Sequence, residues 1–192
     1  MKNLICLFVL PLLLASCAEN PVPKPKGYFR IDLPEKDYRR VSPDCPFSFE
    51  IPAYSRIQMR SDRPETCWFN LDFPKNKAQV HFTYKPIENN LKTMLDESHH
   101  LSYEHHVKAQ DINTRVVMRD TSCVFGLVYY LEGDVASPVQ FYLTDSTQHF
   151  LRGSLYFNVR MNSDSLQPVI SYISEDIDHL ISTLSWSSNR CQ

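Results

Sequence analysis

Val139-Gln140-Phe141-Tyr142-Leu143-Thr144-Asp145-Ser146-Thr147-Gln148-His149-Phe150-Leu151-Arg152-Gly153-Ser154-Leu155-Tyr156-Phe157-Asn158-Val159 sets two apolar runs, Val139 to Leu143 and Phe150 to Val159, around a polar centre. Asp and Ser side chains in that centre can bond nearby backbone amides, so the segment reads as a β-hairpin. Just upstream, Val124 to Leu131 is apolar on both faces, as a strand covered on each side and placed mid-sheet would be. Val116-Val117-Met118 reads as a further strand. Downstream, Ser163-Asp164-Ser165 offers an N-cap for a helix whose apolar stripe is Val169, Ile173, Ile177, Leu180, Ile181 and Leu184, ending near Trp186. Earlier in the chain, Ile87, Leu91, Met94, Leu95, Ser98 and Leu101 fall at helical spacing. Cys67 to Phe73 and Gln79 to Tyr84 flank the turn-forming Pro74-Lys75-Asn76-Lys77, with Val80, Phe82 and Tyr84 on one face. Phe47, Phe49 and Ile51, then Ile57 and Met59, alternate with polar residues and read as a strand pair. Many strands and two helices, each with one stripe to bury, give an α+β fold: an antiparallel sheet with two packed amphipathic helices.

The chain has 192 residues, 43% of them hydrophobic and 22% charged, with 10 Tyr, 11 Phe and 2 Trp to fill a core, which excludes a charge-rich disordered chain. A formal net charge of -2 gives no basic excess, so nucleic acid is not an expected partner. The four glycines, Gly27, Gly126, Gly133 and Gly153, are isolated, so neither a dinucleotide-binding turn nor a P-loop can be written. No internal repeat is present.

Met1-Lys2-Asn3 followed by the apolar Leu4 to Leu14 reads as a secretory signal, because about eleven apolar residues fall short of the roughly 20 that span a bilayer. It ends in Leu14-Ala15-Ser16-Cys17, which resembles the bacterial lipobox. That likeness implies cleavage after residue 16 and lipidation of Cys17 by several acyl chains, palmitate among them, which together anchor stably. Asn20-Pro21-Val22-Pro23-Lys24-Pro25-Lys26 favours an extended polyproline spacer. The expected organisation is therefore signal 1–16, lipidated cysteine and tether 17–27, one domain 28–188 and a polar tail 189–192. Outside the cytoplasm cysteines tend to oxidise; Cys45 and Cys67 each open an apolar stretch and are the candidate disulfide, while Cys191 can stay free in the tail.

Candidate chemistry is sparse. In His99-His100-Leu101-Ser102-Tyr103-Glu104-His105-His106 the outer histidines are about 10.5 Å apart along a helix, too far to share an ion. His100 and Glu104 sit at i and i+4, a pattern read mainly as a solvated face. Asp145, Ser146 and His149 crowd one turn and are read as capping residues rather than a hydrolytic set, since no nucleophile elbow accompanies them. Glu175, Asp176 and Asp178 on the last helix are read as a solvated face. Tyr28, Phe29 and Arg30 follow the tether and should dock, either on the domain itself as a latch or on another protein. No catalytic residue, metal site or cofactor is expected.

Two resemblances are carried by longer stretches. Phe47-Ser48-Phe49-Glu50-Ile51-Pro52, the two helices and the Leu184-Ser185-Trp186 ending look like the PsbP-like fold. Lys26 to Glu35, Asp72-Phe73-Pro74-Lys75, Thr83-Tyr84-Lys85-Pro86 and above all Val135 to Asn158 resemble the gliding motility-associated lipoprotein GldD family of the Bacteroidota, across nearly the whole chain after Cys17. The family resemblance implies an envelope lipoprotein needed for surface gliding and linked to the type IX secretion apparatus, with no catalytic residues to carry over. The expected partners are other envelope proteins of that apparatus, together with a membrane through the N-terminal lipid. Ala18, standing where an inner-membrane retention signal would put Asp, points to the outer membrane. The leading expectation is a non-enzymatic interaction module using Asp145, Ser146, His149 and Arg152, with Tyr28, Phe29 and Arg30. The alternatives are a small-ligand or metal-binding lipoprotein and an envelope enzyme.

Overall fold

A computed structural model describes residues 31–59, 67–104, 109–159 and 162–187. The hairpin joins β8 (Val139–Thr144) to β9 (His149–Phe157), with Phe141 opposite Gly153 and Tyr142 opposite Arg152. Around it, β3 (Arg56–Met59), β4 (Trp68–Phe73), β5 (Ala78–Pro86), β6 (Ala109–Arg119) and β7 (Val124–Gly133) complete a seven-stranded antiparallel sheet in the order β3-β4-β5-β9-β8-β7-β6. A second sheet, β1-β2-β10, is built from β1 (Tyr38–Val41), β2 (Phe47–Pro52) and β10 (Ser185–Trp186). Helix α1 spans Leu91–Tyr103 and α2 spans Ser163–Thr183. The fold is α+β.

Period-two alternation gives the large sheet two different faces. One carries Phe69, Leu71, Val80, Phe82, Phe141, Leu151 and Leu155, which merge with Phe47, Phe49 and Ile51 of the small sheet and the α2 stripe into one core. All six predicted stripe residues of α2 are buried, each contributing about 2 kcal/mol of hydrophobic stabilisation. Phe69 and Phe82 stack at 4.7 Å between centroids, extended by Phe47 and Phe49. The opposite face is covered by α1 over only part of its width, and there Tyr129, Leu131 and Val135 form a smaller cluster.

Several local expectations are corrected. The strand pair read from Phe47 to Met59 is not a pair: the turn after Pro52 carries the chain from the small sheet to the large one, and β3 bonds β4 instead. β7 has neighbours on both sides but lies next to the edge, while β9 is central. β6 starts at Ala109, well before Val116, because an edge strand needs no apolar alternation along its length. Helix α2 is capped by Asn162, whose side chain accepts from the Ser165 N–H, and it ends at Thr183. Leu184 turns extended there, so Trp186 pairs with Phe47 as a strand. In α1 the buried line is Met94, Ser98 and Ser102, and Leu101 is 37% exposed.

Candidate functional site

The turn between β8 and β9 is organised by Asp145. Its Oδ1 accepts from the backbone N–H groups of Thr147, Gln148 and His149 at 3.0, 2.8 and 2.8 Å, and its Oδ2 accepts from the Thr147 hydroxyl at 3.1 Å. Burial pushes the Asp145 carboxyl up, but these donors outweigh it and hold it below the ordinary carboxylate value. Ser146 occupies the left-handed region at φ 67°, its N–H bonded to the Thr144 hydroxyl. Both residues are committed to shaping the turn.

His149 and Arg152 do not join them on one surface, because strand alternation sends odd and even positions of β9 to opposite faces. His149 points into the core side, 7% exposed, its ring stacked on Trp186 at 5.1 Å and its Nδ1 2.8 Å from the Tyr84 hydroxyl. Burial lowers its pKa, with Asp145 opposing. Arg152 points the other way, under α1, and donates to Gln140 Oε1 at 3.1 Å. The four residues grouped by sequence as one patch are thus a turn, a core histidine and a cleft-lining arginine. Tyr28, Phe29, Arg30 and Cys17 lie outside the described residues.

A different surface stands out. β6 closes the order of the large sheet, and its backbone on the outer side has no strand partner among the described residues. Its outward residues Val116 and Met118 are 64% and 70% exposed. They stand opposite the half-buried Leu127 and Phe125 of β7, extending an apolar strip that continues to Tyr142 on β8. The inward side of the same strand is fixed: Arg115 pairs with Asp178, and Arg119 donates to the Ile181 and Leu184 carbonyls at the C-terminus of α2. The signal in sequence is the unbroken Val116-Val117-Met118, which puts apolar groups on both faces of a strand where Val117 alone reaches the core.

Asp176 overturns the reading of the last helix as a uniformly solvated acidic face. It is 1% exposed, accepting from Lys36 Nζ at 2.7 Å, Tyr38 Oη at 3.0 Å and Tyr54 Oη at 2.5 Å. Lys36 also donates to the Tyr172 carbonyl and sits 3.4 Å from the centroid of that ring. Every hydrogen-bonding oxygen of the carboxylate is occupied from within the fold, so the cluster works as a clasp between the entering chain and α2. His100 and Glu104 face each other at 3.2 Å on an exposed helical surface. Among the described residues no group of three or more His, Cys, Asp or Glu side chains could hold a metal. A disulfide joins Cys45 to Cys67, with 5.4 Å between the Cα atoms.

With this geometry in hand, comparison with known proteins gives one family. The sequence profile described as gliding motility lipoprotein GldD matches residues 18–186. No curated protein sequence matches the chain. Among solved structures, the solution structure of cyanobacterial PsbP (CyanoP) from Synechocystis sp. PCC 6803 is similar at 12% identity, covering 85% of this chain and 98% of that one, with a TM-score of 0.47.

Proposed function

The chain belongs to the gliding motility lipoprotein GldD family, and from that premise we propose that its domain is a non-enzymatic docking module, held by lipid on Cys17 at the outer membrane, that joins envelope proteins of the gliding and type IX secretion machinery. Family membership implies involvement in gliding motility and a membrane-anchored place in the cell envelope. The observation that carries the docking role is the β6 edge, which no strand pairs among the described residues, with Val116 and Met118 exposed beside it. An unpaired strand presents a row of backbone donors and acceptors that an extended segment of another chain can continue, and alternate apolar side chains supply specificity. The partner suited to this edge is a protein offering an extended strand with apolar residues on one face.

Crosslinking in intact cells, followed by affinity purification and mass spectrometry, tests the reading. Wild type should recover motility or secretion components. Cys17→Ala should lose them by releasing the domain, and Val116→Asp with Met118→Asp should lose them while circular dichroism stays unchanged. Recovery undiminished by the β6 substitutions would overturn the surface assignment.

A further inference from the structure

Between α1 and the incompletely covered sheet face lies a small, partly open cleft, separate from the β6 edge, whose polar lining is Thr83, Lys85, Glu97, Ser98 and Arg152. Met94 and Phe150 form an apolar wall beside them. The cleft exists because α1 approaches the sheet through small buried serines, Ser98 and Ser102, rather than large apolar residues. Arg152 has five N–H donors, and among the described residues its side chain donates one hydrogen bond, to Gln140 Oε1. Because a guanidinium only donates, that bond sets the amide with Oε1 toward the arginine, while the nearby Ser102 hydroxyl donates its proton to the Ser98 carbonyl at 2.9 Å. The other end of the amide, Gln140 Nε2, is a buried donor with no partner among the described residues, on a residue 1% exposed. Arg152 thus keeps guanidinium donors beyond the one given to Gln140, with the Glu97 carboxylate across the cleft as its neighbouring opposite charge.

We propose that this cleft binds a carboxylate-bearing ligand with a short apolar substituent, its carboxylate on the Arg152 guanidinium and its apolar group against Met94 and Phe150. The planar fork of a guanidinium matches a carboxylate in two parallel hydrogen bonds. Charge selects a monoanion: Lys85 and Arg152 face one opposing carboxylate, Glu97, leaving a single net positive charge, which suits a carboxylate better than a doubly charged phosphate. Hydroxyls of Thr83 and Ser98 line the same space. A free short-chain acid and the C-terminus of a peptide share this chemistry.

The test uses the full lipoprotein in detergent and ligand-observed NMR with three probes: an N-acetylated Ala-Ala-Leu tripeptide with a free C-terminus, its C-terminal amide, and hexanoate. The free tripeptide should bind saturably, and the amide should bind at least about tenfold more weakly, having lost the charge-assisted pair. Hexanoate competing as well as the tripeptide would identify a free acid as the source, and tripeptide binding alone a peptide terminus. Arg152→Lys should weaken binding about tenfold by removing the fork while keeping the charge. Glu97→Gln, a change at an exposed helix position, should strengthen binding severalfold, so the proposal stays testable if the arginine variant fails to fold. Equal binding of acid and amide, displacement by inorganic phosphate as effective as by carboxylate, no saturation by any probe, or no gain from Glu97→Gln would overturn it.

Discussion

Replacing Lys36 by Met should destabilise the domain by about 2 kcal/mol, a value that follows from how Asp176 is held. Removing one partner of a fully buried ion pair typically costs about 3–5 kcal/mol, because the remaining charge stays desolvated and unpaired. Here two terms reduce that figure. The hydroxyls of Tyr38 and Tyr54 remain on the carboxylate, and hydrogen bonds to a charged group contribute about 1.5–3 kcal/mol each. The Lys36 side chain is 25% exposed, so water reaches the ammonium and screens the pair. Asp176→Ala should cost more, about 4 kcal/mol, since three donors lose their acceptor and a 1% exposed site is emptied. Urea unfolding followed by tryptophan fluorescence reads both values: with a slope of about 2 kcal/mol per molar, the midpoint should fall by about 1 M for Lys36→Met and about 2 M for Asp176→Ala. The two tyrosines add a pH arm. Burial first, and the neighbouring Asp176 next, raise both phenols above their ordinary value, so their contribution is complete below about pH 10 and is lost as pH rises further. A Lys36→Met midpoint within error of wild type would refute the clasp, since it would mean the carboxylate needs no cation.

Asp145→Ala should cost about 1–3 kcal/mol by orphaning the three amides it collects, and because the folded carboxyl lies below its ordinary value, the contribution is present above about pH 4 and fades as pH falls; acid unfolding of wild type against the variant measures it. His149 is held neutral by burial, so its share of stability is complete above about pH 6.5 and is lost on acidification, and His149→Phe should flatten thermal stability between pH 7 and pH 5. Gly153→Ala should lower stability by about 1–3 kcal/mol, because a Cβ there would run into the Phe141 ring, which is itself 1% exposed with no room to retreat; thermal unfolding decides, and an unchanged midpoint would mean the ring can repack.

Most of the core was legible in the sequence because it obeys simple periods. Val169 to Leu184 follows the helical repeat and every predicted stripe position is buried, while β4, β5, β8 and β9 follow period two around turns with recognisable chemistry. What escaped was set by partners distant in sequence. β1 is short and polar at two of its four positions, and its strand state comes from pairing with β2, not from its own pattern. Asp176 sits between residues of an acidic helix face, and only the return of Lys36, Tyr38 and Tyr54 from more than 120 positions away buries it. The Asp145 to Arg152 patch was misread for a local reason: adjacency in a turn was carried into the following strand, where alternation separates neighbours. Arg152 itself looks like a surface cation in sequence, and its environment depends on α1 being laid over β9 through serines.

The two acidic residues Asp176 and Asp178, two positions apart on α2, connect regions that share no strand. Asp176 takes Lys36, Tyr38 and Tyr54, and Tyr172 one turn earlier donates to the Pro34 carbonyl at 2.6 Å, so the chain entering the domain is tied to this helix at several points. Asp178 takes Arg115 from β6 and the Tyr130 hydroxyl from β7 at 2.6 Å, and Arg119 closes the helix end. A pull on the entering segment is therefore borne by α2, and α2 is also what braces the inner side of the open edge strand. This arrangement keeps the load in side-chain contacts to one packed helix, and among the described residues no strand pairs with the outer side of β6, where Val116 and Met118 are exposed.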